Sequence, residues 1–269
     1  MINRLINCFS FQIGIIIGSL LIIIILSSCR HKKVEQKEEQ IRISTSNSAN
    51  DSSLNSIQGN ISFSKIPTNP NAVILTGLPE HRLVTVYKSK VNSKSTGNIN
   101  YSNYSSDNYG GESEEYEHYM PGIDIIYGYN LLNVAHYNLK TEKLIFLFKN
   151  PTLIKTLYYP SFIQDSLNNK PINRDYYLVS VYDEDTNKDT LINKKDLRRF
   201  YHFDADCGVR TQLIPPNYSV VRSQYDPKND VMYIFTRQDV DNNGTIDNKE
   251  PVHIFWISLK APLEAKRLY

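Results

Sequence analysis

Cysteine is scarce in this 269-residue chain, with three residues at Cys8, Cys29 and Cys207. An excess of charge of either sign is missing too: Lys and Arg total 30 against 28 Asp and Glu. A nucleic-acid partner needs a basic face, so this balance argues against that class. Past residue 70 no segment keeps a long apolar period of 3.6 residues, which removes amphipathic helices as the building material. The short motifs of common chemistries are absent: no Gly-x-Ser-x-Gly, no His-Glu-x-x-His and no phosphate-binding glycine loop. His81, His118, His136, His202 and His253 are scattered, and three of them fall in strand-like runs where a packed or surface histidine is usual. Trp256, the only tryptophan, sits in the apolar run HIFWISL and reads as core.

Tyrosine is plentiful, at 19 residues. Tyrosine and β-branched residues suit half-buried pleated surfaces. AVILTG and RLVTVYKS are separated by a Leu-Pro-Glu-His turn, and LLNVAHYNL and KLIFLFK by Lys-Thr-Glu. Both read as strands joined by turns. The domain over residues 63–269 is therefore expected to be all-β. Residues 92–118 interrupt it with a Tyr-, Ser- and Asn-rich loop that also carries Asp107, Glu112, Glu114, Glu115 and Glu117. Loops of that length are functional or disordered.

The first 28 residues have another purpose. Arg4 is the only charge before residue 29, IGIIIGSLLIIIIL follows, and Leu26-Ser27-Ser28-Cys29 closes the segment. A positive start, an apolar middle and small residues at a cut site make a secretory signal. The alternative is an uncleaved membrane helix, but Arg30, His31, Lys32 and Lys33 put the positive flank on the wrong side for it. Leu-Ser-Ser-Cys resembles the lipobox of bacterial lipoproteins. That resemblance implies cleavage before Cys29, lipid on its thiol, and a membrane-anchored protein of the bacterial cell envelope. Cys207 would then have no intrachain partner, so the domain would rely on its core or on bound metal. Residues 29–62 are polar and hold no sustained apolar period, which reads as a disordered tether.

The most informative stretch is DVDNNGTIDNKE, residues 239–250. Asp239, Asp241, Asn243 and Asp247 hold places one, three, five and nine, with Gly244 sixth and Glu250 twelfth. This is the ligand order of an EF-hand-type calcium loop. Asp239, Asp241 and Asn243 would give side-chain oxygens, Thr245 its carbonyl, Asp247 a water-mediated contact, and Glu250 both oxygens. Gly244 would supply the positive φ of the sharp turn. The flanks VMYIFTRQ and PVHIFWISL are strand-like, and Pro251 would break an exiting helix. A calcium sensor made of helices is thus disfavoured, while the loop chemistry stands.

A second loop, DTNKDTLINKKD, begins 54 residues earlier, at Asp185 rather than Asp239. Asp185, Asn187, Asp189, Asn193 and Asp196 fill the same places, and Leu191 would offer its carbonyl. Thr190 stands where the glycine should be, which predicts backbone strain. Asp196 is shorter than Glu at the twelfth place, and Asp183 lies close enough to shift the register.

A strand-built repeat of about 50 residues is the size of a propeller blade. SQYDPKNDVMYIF, residues 223–235, with Tyr225, Asp226, Pro227 and Asn229 in its turn, resembles the turn and strand of TolB-like propeller repeats. HFDADCGV, residues 202–209, resembles the ending of the same blades. The resemblance covers residues 158–269 and implies antiparallel sheets of blade type, in a small or incomplete propeller. A β-sandwich with the same hairpins is the alternative. Each calcium loop would then be a long connection between adjacent strands. The function expected is a lipid-anchored envelope module that binds or scaffolds an envelope protein or glycan, with calcium as its cofactor and no catalysis. The alternative is an envelope hydrolase or lyase acting on a glycan or peptide.

Overall fold

The computed structural model describes residues 39–42, 66–89, 120–150 and 152–269. The signal segment, Cys29, the span 92–118 and most of residues 29–62 lie outside them. Among the described residues there is no helix, and the sheets are built from antiparallel pairs. The all-β architecture expected from the tyrosine-rich and β-branched runs is the one the chain adopts.

Three larger sheets carry the fold. The N-terminal sheet orders β2 (Thr68–Leu75), β3 (His81–Lys88), β5 (Leu131–Asn138) and β6 (Lys143–Phe146) side by side. The middle sheet contains β4 (Ile123–Tyr127), β7 (Leu153–Pro160), β10 (Tyr176–Tyr182), β12 (Arg199–Asp204) and β13 (Arg210–Gln212) in sequence order across it. The C-terminal sheet is the meander β14 (Tyr218–Asp226), β15 (Val231–Gln238), β16 (Val252–Ser258) and β17 (Lys266–Arg267). Two small pairs complete it: β1 (Gln40–Arg42) with β11 (Leu191–Asn193), and the hairpin of β8 (Asp165–Leu167) with β9 (Lys170–Ile172).

All seven residues of β10 are buried, which places it inside a sheet covered on both faces. Successive side chains of a strand point to opposite faces. Tyr176 and Leu178 accordingly pack with Val220, Ile234 and Phe255 of the C-terminal sheet. Tyr177, Val179 and Val181 pack with Leu83, Leu131 and Val134 of the N-terminal sheet. A bulge keeps the neighbouring strand in step: Ser180 pairs with Thr156 but Val181 with Ile154, so Ile154 and Leu157 both reach the N-terminal side. The middle sheet thus packs one face against the C-terminal sheet and the other against the N-terminal sheet.

Between the middle and C-terminal sheets lies a buried ion pair. Arg174 meets Asp230 through two parallel bonds of 3.0 and 2.8 Å, and its Nη2 also donates to the Pro121 carbonyl at 3.1 Å. Losing either partner would leave a buried charge alone, at a cost of about 3–5 kcal/mol.

One segment of the span read as a tether is ordered. Ile41 is completely buried against Leu132, Leu153, Tyr182 and Ile192. Glu39 pairs with Lys155 at 3.2 Å, and Lys88 donates to the Gln40 carbonyl at 3.0 Å. The sequence QIR is too short to show a period, so a single buried isoleucine is invisible to it.

Candidate metal centre

Each twelve-residue loop joins the second and third strands of a four-strand meander. The first runs from β10 to β12, which pair through Val181 and Arg199. The second runs from β15 to β16, which pair through Arg237 and Val252. In the N-terminal sheet the matching connection, from β3 to β5, contains β4 and the Tyr-rich span 92–118. The flanks of both loops are strands, as Pro251 and the β-branched runs predict.

The backbones of the loops share two left-handed places. The fourth residues, Lys188 and Asn242, have φ of 61° and 56°. The sixth, Thr190 and Gly244, have φ of 68° and 75°. Thr190 thus takes the left-handed conformation that a β-branched residue resists.

The hydrogen bonds coincide as well. Asp185 accepts from the backbone N–H of Asp189 at 3.1 Å and of Thr190 at 2.9 Å. Asp239 accepts from Asn243 at 3.1 Å and Gly244 at 3.0 Å, the same two places. Asn187 and Asp241, in third place, each accept from the fifth N–H, at 3.0 and 3.2 Å. Asp189 and Asn243, in fifth place, each accept from the seventh, at 2.9 Å in both loops. Asn193 and Asp247, in ninth place, each accept from the eleventh, at 2.8 and 2.6 Å. Asp196 closes the first loop by accepting from Thr186 and Asn193, both at 2.8 Å. Glu250 closes the second from the same places, Val240 at 3.2 Å and Asp247 at 3.1 Å. This web gives the acidic side chains of the two loops the same backbone partners, and Asp196 Oδ1 accepts further from the Thr186 hydroxyl at 3.3 Å and the Asn187 N–H at 3.4 Å.

In the second loop, carboxylate oxygens of Asp239, Asp241 and Glu250 lie within 4.8 Å of one another. Among the described residues no such carboxylate triple forms in the first loop, whose third place carries the amide of Asn187. Two of the acids are deeply buried: Asp196 is 1% exposed and Asp239 4%. Burial pushes the Asp196 carboxyl above its ordinary range, against the backbone N–H groups of Asn193, Asn187 and Thr186 that hold it down. Among the described residues no Lys or Arg forms an ion pair with any acid of either loop. Arg237 reaches the second loop only through the carbonyls of Asn248 and Glu250, at 3.3 and 2.7 Å. Buried carboxylates are ordinarily paired or bound to metal, so the donor set fits a hard cation with oxygen ligands. Of the site residues read from the sequence, all twelve in the loops fall in these two turns, and Cys29 lies outside the described residues.

Sequence spacing missed two relationships. The loops touch, because the Thr186 hydroxyl donates to the Gly244 carbonyl. The seventh to ninth residues of the first loop also form β11, in register with Gln40–Arg42. Neither contact has a local signature, since both join residues far apart in the chain.

A cleft of about 620 Å³ opens between β4 and β14, lined by Asp124, Tyr127, Arg198, Arg222, Ser223 and Tyr225 among others. Comparison with protein-family models and with curated proteins found no match.

Proposed function

We propose that the protein is a lipid-anchored bacterial envelope module whose two loops bind calcium and whose stacked sheets are blade-type scaffolds for a partner. The observation that carries the metal half is the shared hydrogen-bond web of the loops, with buried Asp239 and Asp196 in no ion pair with a cationic side chain among the described residues. The second loop would coordinate through Asp239, Asp241, Asn243, the Thr245 carbonyl and Glu250, with Asp247 acting through water. The first would use Asp185, Asn187, Asp189, the Leu191 carbonyl, Asn193 and Asp196. Calcium here is a clamp on a long hairpin connection. It cancels the repulsion among converging carboxylates and fixes a loop whose closure is entropically costly.

The address rests on Leu-Ser-Ser-Cys29 and the apolar run before it. The role as a binding module, for an envelope protein or glycan, is supported by the cleft between β4 and β14, which mixes aromatic, basic and acidic side chains.

Thermal unfolding with millimolar calcium and with chelator tests the clamp. An ion bound only by the folded state raises the midpoint. The rise is expected to shrink by more than half in Asp239→Ala/Glu250→Ala. An unchanged midpoint in calcium would remove the metal from this reading.

A further inference from the structure

A third group of ligating side chains lies away from both loops. His81 opens β3, and His136 sits on the adjacent strand β5, where Leu83 faces His136 and His81 faces Asn138. The two histidines therefore share one face of the N-terminal sheet. Their rings approach until His81 Nδ1 and His136 Nε2 are 2.7 Å apart. Asp206, on the turn between β12 and β13 of the middle sheet, brings its Oδ1 to 3.9 Å from His81 Nδ1. One ligand atom from each of the three lies within 4.8 Å of the others.

The geometry suits a four-coordinate ion. Ligands about 2.0–2.1 Å from a tetrahedral centre stand roughly 3.3 Å from each other. The separations of 2.7 and 3.9 Å bracket that value, the remaining pair lies within 4.8 Å, and the ion would take the place of the proton that the two imidazoles share. The carboxylate is already aimed. Asn138 donates its amide to Asp206 Oδ1 at 3.3 Å, and its own Oδ1 is fixed by the N–H groups of Lys140 and Thr141 at 2.9 and 3.1 Å. The turn is braced by Asp204, which accepts from Val209 at 2.9 Å through its side chain and from Cys207 at 3.0 Å through its carbonyl. A carboxylate held by its own neighbours is how metal sites keep ligands in place.

The site also runs from interior to solvent. His136 is 1% exposed, whereas the side chain of Asp206 is 69% exposed. Two imidazole nitrogens suit a borderline ion and suit calcium poorly, since calcium takes oxygens.

We propose that His81, His136 and Asp206 form a third metal site, for a divalent transition ion of the zinc class, where the N-terminal and middle sheets meet. Its fourth position faces solvent and is filled by water or by a group from a partner. The site is independent of the calcium reading, because it shares no residue with either loop.

The test uses the purified full chain in millimolar calcium, titrated with Co²⁺ and then with Zn²⁺. One Co²⁺ per chain is expected, with the visible absorption of a four-coordinate ion, displaced stoichiometrically by Zn²⁺. Asp206→Asn, on an exposed side chain, is expected to weaken zinc at least tenfold while keeping the metal-free melting curve, and His81→Ala is expected to weaken zinc at least tenfold while also lowering that curve, because it strips buried His136 of its partner. Asp239→Ala is expected to leave zinc binding unchanged. Absence of a stoichiometric cobalt spectrum would overturn the proposal, and so would zinc binding that survives both His81→Ala and Asp206→Asn.

Discussion

The hydroxyl of Thr186 donates to the carbonyl of Gly244, so the second residue of one acidic loop rests on the sixth residue of the other. A Cβ at 244 would lie 1.9 Å from the Thr186 carbonyl oxygen, closer than any neighbour can tolerate. Glycine is needed there twice, for a φ of 75° and for the approach of the other loop. The contact means that neither loop can change shape without disturbing its neighbour. Gly244→Ala is expected to destabilise the chain by about 1–3 kcal/mol and to weaken calcium at both loops. Urea unfolding and calcium titration of the same variant would show both effects.

Thr190 holds the equivalent place in the first loop at a φ of 68°. Its backbone N–H is held by Asp185 at 2.9 Å. Thr190→Gly should therefore stabilise the chain by roughly 0.5–1 kcal/mol, the relief exceeding the extra entropy of glycine in the unfolded state. A shift of the urea midpoint to higher concentration, with unchanged slope, is the expected readout.

Ile41 links the segment before the domain to the first loop, through its own burial and through the pairing of Arg42 with Leu191. Ile41→Ala is expected to cost about 2–4 kcal/mol. The loss should fall on β1 and β11 first, so amide exchange at Leu191–Asn193 should quicken and calcium should slow it again. Uniform exchange across the chain would argue against a local dock.

How much of this was legible in the sequence follows from the range of each interaction. The strands around 131–146 and 231–258 were readable, because alternation and turn residues are local. The twelve-residue loops were readable for the same reason, and the positive φ at Gly244 and the strain at Thr190 came with them. What spacing could not supply was any meeting of distant strands. His81 and His136 are 55 residues apart and looked like ordinary strand histidines until β3 and β5 were paired. Gln40–Arg42 lacked a pattern long enough to be read, and its order depends on Ile41 finding Leu132 and Leu153.

His202 gives the fold a pH dependence of known sign. It is buried beside Tyr176, with ring centroids 5.8 Å apart, and its Nδ1 has no hydrogen-bond partner among the described residues. Burial lowers its pKa below the ordinary 6.5, against the weaker pull of Asp204 and Asp175. The unfolded chain therefore takes up the proton first. The stability due to neutral His202 is present above pH 6.5 and is lost as pH falls through the lowered folded value. The urea midpoint should drop between roughly pH 7 and pH 5, and His202→Phe should reduce that drop. An identical drop in the variant would place the dependence elsewhere.

The central claim is that the paired loops hold calcium, and counting the ions tests it most directly. Isothermal titration of the chain with calcium, after removal of bound metal, should show two ions per chain. Asp239→Ala/Glu250→Ala should lose the second-loop ion and weaken the one that remains, because Thr186 rests on Gly244. No binding at millimolar calcium, or binding that the double substitution leaves untouched, would contradict the account.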